Sequence, residues 1–269
     1  SNVQLVGVFE SLGAEFTQLT PSGMKSMTKE QLKLFSNIGS PRVKQLASVV
    51  LEQRKADKLA SSYFLNFMND NIDGVLHPSI RTLGARTGRM SITNPALQTL
   101  PSGDPIVRRA FVPKHEDWRI ITSDLDQVEF RLTANLSKDA ELLALFHEAD
   151  ISGNDVFTQI MRQVYQDDSL VQEDPRRGLI KNTVYGKLYG AGPEKMAESA
   201  GVPVLQMKEV VDAFDSNYPG GKGLQKQIED LGMRRLRTEG TGYVTTRTGR
   251  RLPCDDDRVY SLTNYLIQD

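Results

Sequence analysis

The amino-acid sequence predicts an α+β fold, on three observations. Apolar residues recur at helical spacing through residues 20–70 and again through a longer stretch ending near Arg237. A run of β-formers at 118–123, Trp-Arg-Ile-Ile-Thr-Ser, reads as a strand. Residues 242–250, Gly-Tyr-Val-Thr-Thr-Arg-Thr-Gly-Arg, read as a hairpin.

Taken in order, Thr28-Lys29-Glu30-Gln31 fits a capping box ahead of Leu32, Leu34 and Phe35, and a second amphipathic run spans Val43 to Met68, so paired helices are expected. Residues 73–113 are rich in Gly, Pro, Thr and Ser and carry several arginines, the composition of loops and short strands. Beyond the strand at 118–123 the helical stretch is expected to break at Gly153-Asn154, at Gly190-Ala191-Gly192-Pro193 and at Tyr218-Pro219-Gly220-Gly221.

Composition narrows the class. A chain of 269 residues, 39% hydrophobic and 25% charged, can bury a core, which excludes disordered and fibrous classes. The single cysteine, Cys254, excludes an internal disulfide framework, suits a reducing compartment and is expected to be structural. No apolar stretch reaches the roughly 18 residues needed to cross a bilayer, and the first residues lack a basic-then-apolar leader. A cytoplasmic protein without a membrane partner is expected. The net charge of -1 carries no global signature for nucleic acid, so any such binding must come from local clustering of the 33 Lys and Arg.

Two segments carry the chemistry. Asp124-Leu125-Asp126-Gln127-Val128-Glu129-Phe130-Arg131 follows the expected strand directly. A carboxylate at the end of a buried strand is held rigidly while facing the open end, which suits metal-dependent phosphoryl transfer; the alternative is a helix N-cap acid. In the other segment Arg177, Lys181, Tyr185 and Tyr189 recur every fourth residue and share one helical face. Two cations and two aromatics in a stripe can hold a triphosphate at one end and stack on a base at the other, whereas the bland reading is a solvated basic face with aromatic packing.

Together and in this order, these strings resemble family A DNA polymerases of the DNA polymerase I type. The string at 124–131 is similar to motif A, usually D-Y-S-Q-I-E-L-R, with Leu125 and Asp126 replacing Tyr and Ser. The stripe from Arg177 to Gly190 is similar to motif B, R-x-x-x-K-x-x-x-(F/Y)-x-x-x-Y-G. Residues 87–101, Thr-Gly-Arg-Met-Ser-Ile-Thr-Asn-Pro-Ala-Leu-Gln-Thr-Leu-Pro, resemble the family's T-G-R-L-S-S-x-x-P-N-L-Q-N-I-P, with Ala96 and Thr99 at two usual asparagines. Asn264-Tyr265-Leu266-Ile267-Gln268 is similar to a further primer-template segment, with Tyr260 where Arg is customary. Asp155-Val156-Phe157 stands at the usual D-I-H, so Phe157 replaces a phosphate-binding histidine and the triphosphate leans more on Arg177 and Lys181.

The resemblance implies a palm-fingers-thumb architecture: residues 1–72 partial thumb, 73–136 palm with motif A and an antiparallel sheet, 137–252 mostly helical fingers with motif B, and 253–269 a return to the palm. It implies template-directed transfer of a nucleotide from dNTP to a primer 3'-hydroxyl, by a two-metal mechanism with two Mg2+ ions. Asp124 and Lys181 would be catalytic, with Asp124 and the carbonyl of Leu125 on the metals. Gln127, Glu129, Arg177, Lys181 and Tyr185 would bind the nucleotide, Glu129 as the gate against a ribose 2'-hydroxyl. Arg89, Gln98, Tyr189, Asn264 and Gln268 would touch DNA. Motif C, a His-Asp-Glu turn bearing the second metal-binding acid, is expected beyond Asp269. The chain alone is therefore expected to be inactive, and its partners to be primer-template DNA, dNTP and, if the polymerase is split, a second polypeptide carrying motif C. The alternative is a catalytically incomplete DNA-binding fragment.

Overall fold

A computed structural model describes residues 1–20, 22–101 and 105–269. Residues 21 and 102–104, which fall within the helical and irregular stretches expected above, lie outside the described residues. The chain divides into two compact units, Ser1–Asp126 and Gln127–Asp269. Both contain helices with small antiparallel ladders, an α+β composition as expected.

The first unit opens with helices α1 (Asn2–Ser11), α2 (Lys29–Ile38) and α3 (Pro41–Lys58). Thr28 caps α2, its hydroxyl accepting from the Gln31 backbone N–H at 3.3 Å. The expected reciprocal half of the box is replaced, because the Gln31 side chain accepts from Thr17 and Gln18 instead. Phe9, Leu32, Phe35, Val43 and Ala47 form the small core that binds the three helices. Helix α3 runs through a π-helical turn, Leu59–Phe64, into α4 (Leu65–Asn69), filling the second amphipathic run. The irregular stretch then folds as two hairpins, β1 (Asn71–Ile72) with β2 (Val75–Leu76) and β3 (Ser79–Arg81) with β4 (Ser91–Thr93). A 3-10 turn, Leu97–Thr99, and helix α5 (Pro105–Arg108) follow.

Residues 118–123 do not form the expected strand. Ile121 is 90% exposed, and every ladder among the described residues is two-stranded without this segment. The β-formers are there, but a strand needs neighbours to pair its backbone and cover its apolar side chains. Asp124 accordingly sits in an exposed coil, not at the end of a buried strand.

The second unit is a helical body of α6 (Val128–Ser137), α7 (Ala140–Ser152), α8 (Val156–Tyr165), α9 (Pro175–Leu188), α10 (Pro193–Ala200), α11 (Val204–Asn217) and α12 (Pro219–Glu239). Phe130, Phe157, Ile160, Met161, Ile180, Val184, Met207 and Phe214 interlock at its centre. A hairpin of β5 (Tyr243–Thr245) and β6 (Arg251–Pro253) sets Val244 opposite Leu252, its return strand lying just past the expected 242–250. A 3-10 turn, Asp256–Ser261, leads into α13 (Leu262–Gln268), whose Leu262 packs with Val244, Leu252 and Cys254. Cys254 is buried, its thiol donating to the Gly242 carbonyl, a structural role.

The expected break at 218–221 is tighter than its composition suggests, because Pro219 supplies the preset φ of a first helical turn and α12 starts there. Gly220 permits the junction with α7. Asp139 caps α7 through Leu142 and also accepts from the Gly220 N–H at 2.7 Å; a Cβ on Gly220 would lie 2.6 Å from that of Asp139. Gly220→Ala must push Asp139 away and loosen both contacts, so a loss of roughly 1–3 kcal/mol is expected in urea unfolding. An unchanged midpoint would show that the junction is not tightly packed.

Candidate functional site

The first turn of α6 and the outer face of α9 meet in the second unit. Asp174 caps α9, accepting from the Arg176 backbone N–H at 2.9 Å, and Pro175 starts the helix. Arg177, Lys181 and Tyr185 then fall on successive turns of one face, and Tyr189 closes the helix as its C-cap.

Each member of the stripe has a definite neighbour. Arg177 donates two hydrogen bonds to Asp155, Nε to Oδ2 at 2.6 Å and Nη2 to Oδ1 at 2.7 Å. Asp155 is also the N-cap of α8, accepting from the Thr158 backbone N–H and hydroxyl, each at 2.9 Å. Lys181 is exposed and has no carboxylate partner among the described residues; its Nζ lies 5.7 Å from the Phe157 ring centroid, as does the Arg177 Cζ. The Tyr185 and Tyr189 rings stack at 6.3 Å with 23° between planes. Their hydroxyls reach the expected motif A string: Tyr185 donates to Gln127 Oε1 at 2.5 Å, and Tyr189 to Glu129 Oε2 at 2.7 Å. Glu129 lies in the first turn of α6 and is only 9% exposed. Amide dipoles at a helix N-terminus favour a carboxylate there. The structure thus brings Gln127, Glu129, Arg177, Lys181, Tyr185 and Tyr189 together, with cations along one part of the face and an amide, a carboxylate and two phenols along the other.

Phe157 is fully buried, stacked 6.3 Å from Phe130 and tilted at 46° to Tyr185 with centroids 6.1 Å apart, so it serves as core and as floor beneath the two cations. Asp155, to which the sequence assigns no role of its own, is the participant that sequence reading missed. An acid two residues before a buried aromatic gives no sign that it will meet an arginine one helix later.

Burial pushes the Asp155 carboxyl upward, but hydrogen bonds from Arg177 and Thr158 outweigh it and hold the group below its ordinary value. A depressed folded value means stability that is fully present above the unfolded pKa, about 3.9, and lost as pH falls through the lower folded one. Urea midpoints of the parent and Asp155→Asn are therefore expected to differ constantly from neutral pH to about 5 and to converge below about 4. A difference that persists undiminished in acid would assign it to packing instead.

The other expected residues lie elsewhere. On α13, Asn264 and Gln268 are half-buried and share a face. In the first unit Arg89 is exposed. Gln98 clips its own loop, its amide donating to the Met90 carbonyl at 2.9 Å and accepting from the Ile92 N–H at 3.1 Å. Asp124 accepts from the Leu125 N–H at 3.1 Å, and both residues are exposed. Among the described residues no group of three or more His, Cys, Asp or Glu is placed to hold a metal. Magnesium demands a near-octahedral set of oxygens, so one carboxylate and one peptide oxygen do not by themselves make its site. Helix α12 carries Arg234, Arg235 and Arg237, of which Arg235 is engaged internally, donating to the Tyr243 carbonyl and lying 4.1 Å from its ring centroid. No described helix is long and apolar enough to cross a membrane.

Comparison with known proteins places these features in a family. The model of DNA polymerase family A matches residues 1–261. The DNA polymerase of Mycobacterium phage D29 is 34% identical over 263 residues, covering 97% of this chain and 41% of the relative. That of Mycobacterium phage L5 is 32% identical over 269 residues, covering 100% of this chain and again 41% of the relative. The chain thus spans about two fifths of the length of these relatives. Among solved structures, the POL domain of Pol1 from M. smegmatis, in complex with DNA primer-template and dNTP, covers 100% of this chain and 46% of its own, with a TM-score of 0.70. At 24% identity that likeness shows a shared fold alone.

Proposed function

Because this chain belongs to DNA polymerase family A, we propose that it carries the nucleotide-binding face of a polymerase that adds dNTPs to a primer on a DNA template. One observation carries the reading: the motif B stripe of α9 is hydrogen-bonded through Tyr185 and Tyr189 to Gln127 and Glu129 of motif A. Strings that match the two motifs separately thereby form one surface.

On this reading the chain folds as late thumb, palm and fingers, with α9 in the fingers. Arg177 and Lys181 bind the triphosphate, and Lys181 in addition stabilises charge on the leaving pyrophosphate. Tyr185 lies against sugar and base, and Tyr189 borders the template base. Glu129, fixed by the Tyr189 hydroxyl, occupies the space a ribose 2'-hydroxyl would need. Arg89, Gln98, Asn264 and Gln268 face primer-template, where donors in the minor groove meet acceptors common to all Watson-Crick pairs and so test geometry without reading sequence. Asp124, with the Leu125 carbonyl, contributes to a magnesium centre whose remaining ligands the described residues do not supply.

The exposed setting of Asp124 favours another reading for the chain by itself. It binds primer-template and nucleotide without extending the primer, and a second polypeptide completes the metal site.

In a polymerase carrying this chain, Glu129→Ala opens the space beside the sugar and is expected to raise ribonucleotide incorporation relative to deoxyribonucleotide by roughly tenfold or more, since a removed clash of about 1.4 kcal/mol already gives that factor. Single-turnover insertion of matched ATP and dATP measures it. An unchanged ratio would remove Glu129 as the gate and count against the surface assigned here.

A further inference from the structure

We infer that Asp155 is a positioning residue for nucleotide binding, holding the Arg177 guanidinium so that its unused donors face the phosphates. The inference rests on the reading of the α9 face just given and assigns a residue that reading does not use.

A guanidinium carries five N–H donors in a rigid plane. Asp155 takes one from Nε and one from Nη2, at 2.6 and 2.7 Å, which leaves both Nη1 hydrogens and the second on Nη2. Those three lie along edges turned away from the carboxylate, where they can meet phosphate oxygens bidentately. Asp155 is itself held in place. Its Oδ2 accepts from both the backbone N–H and the hydroxyl of Thr158, so the carboxylate cannot swing without uncapping α8.

The floor beneath Arg177 comes from the same turn. Phe157, two residues on, is fully buried, and its ring lies 5.7 Å from both Arg177 Cζ and Lys181 Nζ. An aromatic ring attracts cations at such distances without consuming a hydrogen-bond donor. The first turn of α8 therefore fixes the plane of Arg177 while sparing most of its donors. Lys181, without a carboxylate partner, keeps all three of its own.

Two opposite roles are open to an acid so placed. A competing counter-ion would lower nucleotide affinity, and its removal would tighten binding. A positioning residue raises affinity by removing beforehand the rotational freedom of a long side chain, and its removal weakens binding. The side-on pairing, which leaves three donors unused, favours positioning.

The test compares four variants of the 269-residue chain by calorimetric titration with dATP and, separately, inorganic tripolyphosphate. Asp155→Asn retains a side chain that can cap α8 but loses the anionic fork. It is expected to weaken both probes on the order of tenfold, the size of one charge-assisted pair. Arg177→Ala should weaken them at least as much, and the double variant no more than Arg177→Ala alone, because Asp155 acts only through Arg177. Gln163→Ala, which removes the acceptor that ties α8 to the Tyr218 hydroxyl and touches neither Asp155 nor Arg177, should stay within about twofold of the parent.

Unchanged or tighter binding in Asp155→Asn, with Arg177→Ala still weakened, overturns the positioning role and leaves the α9 reading intact. Additive losses in the double variant, or a loss in Gln163→Ala equal to that in Asp155→Asn, overturn it as well by assigning the effect to α8 as a whole. Undiminished binding in Arg177→Ala, or none by the parent, overturns the α9 reading and the inference with it.

Discussion

Lys181→Ala is expected to weaken dNTP binding by about ten- to a hundredfold, the worth of one or two charge-assisted hydrogen bonds, while primer-template affinity changes by less than about twofold. Lys181 is the cleaner of the two cations to remove. It makes no ion pair among the described residues and its ammonium lies over the Phe157 ring, so its loss uncovers no buried charge. Arg177→Ala should lose at least as much nucleotide affinity. It also leaves the Asp155 carboxylate, whose side chain is 18% exposed, without its guanidinium, so a lowered urea midpoint is expected for this variant alone. The two substitutions therefore separate binding from folding. Equal losses of nucleotide and DNA affinity in Lys181→Ala would contradict the assignment, because a residue that touches only the nucleotide cannot alter the binary complex.

Much of this site is legible in the residues alone, for a physical reason. Fourfold spacing on a helix guarantees a common face, so Arg177, Lys181 and Tyr185 were bound to align once α9 formed, and the break expected at Gly190 marked where it had to end. The hairpin at 243–253 and the Thr28 cap were legible likewise, because turn and cap chemistry act over a few residues. What pairs over long sequence distances was not legible. The sequence shows that Tyr189 has a hydroxyl and Glu129 a carboxylate, but their hydrogen bond follows from the packing of α6 against α9. Asp155 and Arg177 are a case of the same kind. The strand expected at 118–123 failed for the converse reason: local β-propensity was present, but no strand among the described residues pairs with the segment to realise it.

The same failure bears on catalysis by the isolated chain. A primer-extension assay on the 269 residues with Mg2+ is expected to yield no product above that of an Asp124→Ala control. Two divalent ions a few ångströms apart repel strongly and need more than one protein carboxylate to hold them. The described residues offer Asp124 in an exposed coil and no cluster around it. Addition of a second polypeptide bearing a His-Asp-Glu hairpin should restore extension if the polymerase is split, and that restored activity should again vanish in Asp124→Ala. Template-directed extension by the chain alone would mean that another acid, with Asp126 the nearest in sequence, completes the metal site.

Nucleotide selection by the template can be measured without any chemistry, and it bears on the α9 face as a template-directed nucleotide site more sharply than any substitution taken singly. The chain is titrated with dATP and with dGTP in the presence of a dideoxy-terminated primer-template whose next template base is thymine. We expect dATP to bind at least tenfold tighter than dGTP, an amount a single discriminating contact of about 1.4 kcal/mol supplies, and Lys181→Ala to weaken both. Equal affinity for the two nucleotides, or affinity untouched by Lys181→Ala, would contradict that assignment.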